Sequence, residues 1–213
     1  MAETRMPLNR QRVAAAAMGF IDEHGEPALS MRKLGAELGV EAMSLYNHVA
    51  NKDDLLDAVG DLLYSEILEA YEPDPGGGWQ DDLRNLANVY RDAAHRHPNA
   101  LALLVDRVIP SPVKYLFLSK CYGIFTAAGF DTKAAAVAFD TAASWVIGAI
   151  RQEMGLMADL ERRGSLHVDD LPDELQGVVE FTAACLAWTP QQRFDHGLET
   201  MLAGLEWRLS AGS

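Results

Sequence analysis

A chain of 213 residues, 49% hydrophobic and 23% charged, has room for one domain or for a small domain joined to a larger one, and its composition excludes a disordered polymer. Its formal net charge of -13 excludes a protein that coats nucleic acid or anionic membrane with its whole surface. The charge is unevenly placed: residues 1–52 hold six of the 18 Lys/Arg and six of the 31 Asp/Glu, leaving 12 against 25 in the remainder, so any polyanion is met by the N-terminal quarter.

No apolar run approaches the roughly 20 residues needed to cross a bilayer. The longest N-terminal one, Val13 to Ile21, follows polar residues and lacks a clear cleavage site, so a soluble cytoplasmic protein with no membrane partner is expected. Cys121 and Cys185 each lie in an apolar stretch and are expected to be small buried residues in a reducing compartment.

Alternating strand patterns closed by Asn-Gly or Asp-Gly turns are missing, and the reading is all-α. The first helix is predicted from Asn9 to His24, with Val13, Ala17, Phe20 and Ile21 on one face and Gly25 as a stop. Ser30 caps a short second helix carrying Leu34 and Leu38, which ends at Gly39, and a third runs from about Glu41 to Val49. Asn51 opens a fourth, with Asp54 three residues on in the manner of a capping box. Leu55, Leu56, Val59, Leu62, Leu63, Ile67 and Leu68 surround much of its circumference, which predicts burial between two layers up to the turn at residues 73–78.

Helices are then predicted over Trp79–His97, briefly after Pro98, over Pro112–Ala128 and over Thr132–Asp159. Ser111-Pro112 and Thr189-Pro190 each set a capping side chain before a proline at the first helical position, and Gly129-Phe130 fits a glycine stop with its hydrophobic contact. The polar segment Glu161–Asp170 reads as a flexible loop, and two last helices, Pro172–Ala187 and Pro190–Leu209, complete the chain.

The stretch RKLGAELGVEAMSLYNHV, Arg32 to Val49, carries the functional signal. Gly35 lets two helices approach closely, Gly39 permits a sharp turn, and Val40 and Leu45 plug the far side, the pattern of a helix-turn-helix. At about 100° per residue, Leu45 and Val49 point inward together. Met43, Ser44 and Asn47 point away, with Tyr46 and His48 on the flanks. Such a face fits a major groove, while Tyr46, His48 and Lys52, beside the helix start at Asn51, suit phosphates.

The longer run LSMRKLGAELGVEAMSLYNHVANKDDLLDAV, residues 29–59, resembles the DNA-binding domain and fourth-helix start of the tetracycline-repressor (TetR) family of bacterial transcription regulators. WQDDLRNLANVYRDA (79–93) and FDHGLETMLAGLEWRL (194–209) resemble, more loosely, the regulatory domain of its tetracycline-repressor branch. The resemblance implies a three-helix reading head over residues 1–50 and a larger helical effector-binding and dimerisation domain over 51–213. It further implies double-stranded DNA with a palindromic operator, a second copy of the chain and an unidentified small-molecule effector as partners.

Carried across residue by residue, Arg32 matches a base-reading position, Ser44 a hydroxyl contact, and Tyr46, His48 and Lys52 backbone contacts, with Asn47 on the same exposed face. Ala42 and Met43 stand where the tetracycline repressor has Gln and Pro, so its bidentate reading of adenine is lost and a different operator is expected. That repressor holds its drug and a magnesium ion with His, Asn and Glu. Leu68, Leu86 and residues near Leu104 occupy those places here, so no metal or other cofactor is expected. An effector pocket is expected from Leu68, Leu86, Tyr90, Leu104, Phe117, Cys121 and Trp145, and a dimer interface from Ala138, Thr141, Trp145, Leu198, Met201, Leu202 and Leu205.

Simpler readings stand beside these. Phe117, Tyr122, Phe125, Trp145, Met154 and Met157 are core residues first and cavity linings second. His95 and His97, two apart on a helix, do not share a face, and a helix end before Pro98 explains them better than a ligand pair. Asp169, Asp170, Asp173 and Glu174 are a solvated run at a helix start rather than a metal site. With no nucleotide-binding glycine loop and no catalytic pairing, an enzyme is not expected. The alternative is an all-helical small-molecule-binding protein or enzyme whose N-terminal helices are only structural, with no DNA binding.

Overall fold

The computed structural model describes residues 7–107, 110–163 and 175–211. The Asp169, Asp170, Asp173 and Glu174 run and the predicted helix start at Pro172 lie outside them. Every regular element among the described residues is helical: α1 (Arg10–His24), a 3₁₀ turn (Glu26–Ala28), α2 (Met31–Leu38), α3 (Ala42–Leu45), α4 (Lys52–Ala70), α5 (Trp79–Arg96), α6 (Ala102–Asp106), α7 (Pro112–Ala127), α8 (Thr132–Arg163), α9 (Gln176–Leu186) and α10 (Pro190–Ser210).

The stop and start signals act as the local chemistry requires. Asn9 accepts from the Arg12 amide at 2.8 Å, Ser30 from the Lys33 amide at 3.3 Å and Ser111 from the Lys114 amide at 3.1 Å. Thr189 and Gln192 form a reciprocal capping box around Pro190. At the end of α7, Gly129 takes φ 101° and the Phe130 amide donates to the Phe125 carbonyl at 3.1 Å. The two rings meet edge to face at 5.8 Å, the hydrophobic contact that closes such a turn.

Two compact units divide the chain, Met1–Ile124 and Phe125–Ser213. In the first, α4 packs chiefly on α1, with α2 and α3 on each other and α5 and α6 on α4. Leu55, Val59, Leu63 and Ile67 on α4 are fully buried, as are Val13, Ala17 and Ile21 on α1. Burial of α4 on several sides is what its apolar circumference predicts. Because α1 and α4 share this core, α4 belongs to the same compact unit as the short helices before it.

In the second unit α8 packs on α10. By length and composition alone, Thr132–Asp159 is long and apolar enough to cross a membrane. Its buried residues form a stripe, Ala135, Ala138, Ala142, Val146 and Ile150, the helical spacing of a core-facing seam. The helix continues to Arg163, past the predicted end at Asp159 and into the segment read as loop. Cys121 is buried as expected, whereas Cys185 is exposed, since α9 also turns Val178 and Phe181 outward in the single chain.

Candidate functional site

The helix-turn-helix is built by two glycines doing different things. Gly39 adopts the left-handed conformation, φ 65° and ψ 36°. Its amide donates to the Ala36 carbonyl at 3.1 Å, and the Val40 amide donates to Gly35 at 2.8 Å, the paired closure of a helix by a left-handed residue. Gly35 answers a steric demand instead: a Cβ there would lie 2.9 Å from the Val40 carbonyl oxygen and 3.1 Å from the Ala42 nitrogen. The start of α3 therefore rests directly on the backbone of α2.

The predicted third helix is shorter than its pattern suggested. Regular α-helix covers Ala42–Leu45, and residues 46–48 continue as turn, with His48 and Val49 amides both donating to the Leu45 carbonyl at 2.9 and 3.1 Å. Asn47 and His48, both weak helix formers, occupy this second turn. The facing survives because these bonds keep the helical winding: Leu45 and Val49 are buried, whereas Met43 is 71% and Tyr46 44% exposed. Asn47 is also exposed, and Ala42, Ser44 and His48 are half-buried. Arg32, near the start of α2, is exposed.

Four ion pairs made by three cations brace this region, and none was legible in sequence spacing. Arg10 at the start of α1 grips Asp54 on α4 with both terminal nitrogens, at 2.6 and 2.8 Å, and donates to the His48 carbonyl at 3.3 Å. Asp54 also accepts the Ala50 amide at 2.7 Å, so the expected reciprocal cap falls on Ala50 rather than on Asn51. Lys52 pairs with Glu26 at 2.7 Å. Arg107 reaches Asp53 and Asp57 at 3.2 and 3.3 Å and ties the chain after α6 to the first turns of α4.

The hydrogen bond from Arg10 holds the Asp54 carboxyl below its ordinary range, helped by the Ala50 amide and opposed by partial burial. A depressed folded-state pKa contributes stability that is complete above the unfolded value, about 3.9, and is lost as pH falls through the lower folded value. Asp54→Asn is therefore expected to lower the denaturant midpoint at neutral pH and to flatten its decline below about pH 4, measured by urea unfolding across an acid series. Equal slopes for the two proteins would show that the pair contributes nothing.

His97 stands where the helix-end reading places it, just after α5, and gains contacts that the sequence did not show. Its ring is held between Asp22 on α1 at 2.7 Å and Glu66 on α4 at 3.2 Å. Asp22 further accepts the Ala100 amide at 3.0 Å, and its backbone carbonyl accepts from Asn99 at 2.9 Å. The link between α5 and α6 is thus fastened to the end of α1.

Of the expected effector residues, Leu86, Leu104, Phe117 and Cys121 are buried, and Leu68 and Tyr90 are half-buried, all in the first unit. Phe117 meets Tyr64 at 5.1 Å between ring centroids. Burial pushes Tyr64, Tyr71 and the Cys121 thiol each up to about 12, and the Asp82 carboxylate adds to the shift of Tyr71. Tyr64 and Tyr71 were missed as site candidates because an apolar helix pattern does not single out its aromatic members. Trp145 lies in the second unit, half-buried, with its ring 5.4 Å from Phe194 and packed over Gly197.

The expected dimer residues separate into two sets. Ala138, Leu198, Leu202 and Leu205 are buried within the single chain, so they belong to its own core rather than to an outer face. Thr141 is exposed and Met201 and Trp145 half-buried. Opposite the buried stripe of α8, Val137, Thr141, Ser144 and Gly148 form an exposed face of mostly small residues. With α10 they line two open grooves, one reaching Met201, Gly204 and Trp207, the other Phe194 and Gly197. Among the described residues no group of three or more His, Cys, Asp or Glu is placed to hold a metal.

Comparisons with known proteins agree with this geometry. Residues 13–59 match the family described as bacterial regulatory proteins, tetR family, and residues 72–209 match the tetracyclin repressor-like C-terminal domain. The class D tetracycline repressor of Escherichia coli is 29% identical over 96% of this chain and 92% of its own length. An HTH-type transcriptional regulator of Saccharopolyspora erythraea is 30% identical over 96% of this chain and 87% of its own. Apo ActR from Streptomyces coelicolor superposes with a TM-score of 0.79 at 28% identity, covering 100% of both chains, and ActR in complex with actinorhodin gives 0.76 at 28%, covering 97% and 100%. The chain belongs to the TetR family, and it is a DNA-binding regulator of transcription, not an enzyme.

Proposed function

We propose that the protein acts as a homodimeric repressor that releases a palindromic operator when a small molecule binds. The observation that carries this reading is the turn from Ala42 to His48, whose apolar residues Leu45 and Val49 are buried while Met43 and Tyr46 stand in solvent. Residues 1–50 serve as the reading head and 51–213 as the effector-binding and dimerisation part. Met43, Ser44 and Asn47, with Ala42 beside them, face bases; Arg32, at the head of α2, reads a base edge, and Tyr46, His48 and Lys52 meet phosphates. Two heads on a two-fold axis read half-sites about 34–36 Å apart, or a multiple.

Effector binding is expected against Tyr64, Tyr71, Phe117 and Cys121, with Leu68 on α4, Leu86 and Tyr90 on α5 and Leu104 on α6 as further contacts. Neutral phenols and a neutral thiol among apolar side chains suit a ligand with a large aromatic or apolar surface. Tilting α4, the element that leads out of the head, changes the separation of the two heads. A 100-fold loss of DNA affinity then needs an effector preference of about 2.8 kcal/mol for the releasing state.

The test begins with selection of duplex DNA from a random pool by the full chain, for which a palindrome is expected. On that duplex Tyr46→Ala and Lys52→Ala are each expected to weaken binding about five- to thirtyfold. Lys52→Ala should also make the logarithmic salt slope shallower by about 0.9 per lost phosphate contact. Unchanged affinity in both variants, with the fold intact, removes the proposed contacts.

A further inference from the structure

We infer that Glu26 is a built-in competitor for Lys52, and that it lowers the affinity of the reading head for DNA. The inference rests on the placement of Lys52 at a phosphate proposed above. In the structure the Lys52 ammonium lies 2.7 Å from the Glu26 carboxylate, with both side chains a little over one-third exposed.

The two partners differ in freedom. Glu26 opens a 3₁₀ turn whose backbone is tightly held: Gly25 takes φ 78°, Pro27 fixes the next residue, and the Ala28 and Leu29 amides donate back to Gly25 and Glu26 at 3.2 and 3.0 Å. The same short connection leads through Leu29, itself buried, to the Ser30 cap of α2. Lys52 has a four-carbon stem and stands at the first residue of α4, immediately after the turn that displays Tyr46 and His48. When a phosphate approaches, Lys52 can swing toward it, whereas the Glu26 carboxylate is repelled by the like charge. DNA binding then breaks one ion pair per head and leaves an unpaired carboxylate near the polyanion.

The charge inventory makes this matter. Residues 1–52 hold only six cations against six acids. Arg10 is engaged by Asp54, and Lys33 donates to the Ala28 carbonyl at 3.0 Å. With so few cations in the head, the state of Lys52 is a large part of its attraction for phosphate.

Full-length wild type, Glu26→Gln, Lys52→Ala and the double variant would be titrated against the selected duplex at low salt, with Glu23→Gln as a control for charge alone. Glu23 is three residues away, and its side chain is 75% exposed. Glu26→Gln is expected to bind about three- to tenfold more tightly, as loss of an exposed pair in each of two heads allows. The gain should vanish in the Lys52→Ala background, and Glu23→Gln should not reproduce it.

If Glu26→Gln binds no more tightly while Lys52→Ala still weakens binding, the competitor role is overturned and the DNA contact stands. A gain that persists without Lys52, or that Glu23→Gln matches, also overturns it, because it then reflects net charge alone. If Lys52→Ala leaves affinity unchanged, or if no duplex is selected, the reading of Lys52 as a DNA contact fails and this inference fails with it.

Discussion

Gly35→Val is expected to abolish operator binding while leaving the second compact unit folded. Even the first atom of the new side chain would fall on backbone, 2.9 Å from the Val40 oxygen and 3.1 and 3.2 Å from the Ala42 nitrogen and Cα. Backbone cannot rotate out of the way as a side chain can, so α2 and α3 must separate. Overpacking of this kind costs about 1–3 kcal/mol, and the two further methyl carbons of valine add to it. Gly35→Ala is the informative companion. Alanine gains up to about 1 kcal/mol of helix propensity over glycine, which offsets part of the clash, so a smaller loss is expected. Unfolding followed by circular dichroism, together with operator titration, checks both. Gly35→Val binding with wild-type affinity would mean that the two helices need not touch.

Val137→Arg is expected to convert a dimer to a monomer without harming the fold of either compact unit. Val137 is 53% exposed in the single chain, so the substitution removes little core packing. On a two-fold face it would bring two guanidinium groups toward each other across a surface of mostly small side chains, where they crowd the contact and repel each other. Sedimentation should then give the monomer mass. Operator affinity should fall about 10²- to 10⁴-fold, since the second head no longer binds at the high effective concentration that linkage provides. A variant still dimeric by sedimentation would move the interface away from this face of α8. The exposed Thr141, Ser144 and Gly148 follow Val137 along that face and would be released with it.

These two sites show how unevenly sequence speaks for structure. Gly35 and Gly39 were readable because a tight helix crossing and a left-handed turn each demand a particular residue at a particular place. The facing of Leu45 and Val49 against Met43 and Tyr46 was readable for a similar reason: helical winding is local, and residues four apart share a side whether the helix lasts one turn or two. Its length was less legible, because an apolar pattern does not record where Asn47 and His48 loosen regular helix into turn.

The dimer residues illustrate the opposite case. Leu198, Leu202 and Leu205 look as suitable for a partner as for a core, and the periodicity that places them on one face cannot say what lies against it. Only the packing of α8 on α10 assigns them to the interior and leaves Val137 and Thr141 outside. For Trp145, too, packing supplies what periodicity cannot, a contact with Phe194.

By itself, then, the sequence determined what depends on neighbouring residues: an all-helical chain, the starts at Ser30 and Thr189, the stops at Gly39 and Gly129, and a reading head near neutral charge on an acidic protein. Tertiary structure alone decided the pairings of Arg10 with Asp54, Lys52 with Glu26 and His97 with Asp22. Residues separated by 26 to 75 positions meet only through helix crossings and the path of the connecting turns. A charged side chain carries no periodic mark of its partner, so those contacts become visible only once the helices are packed.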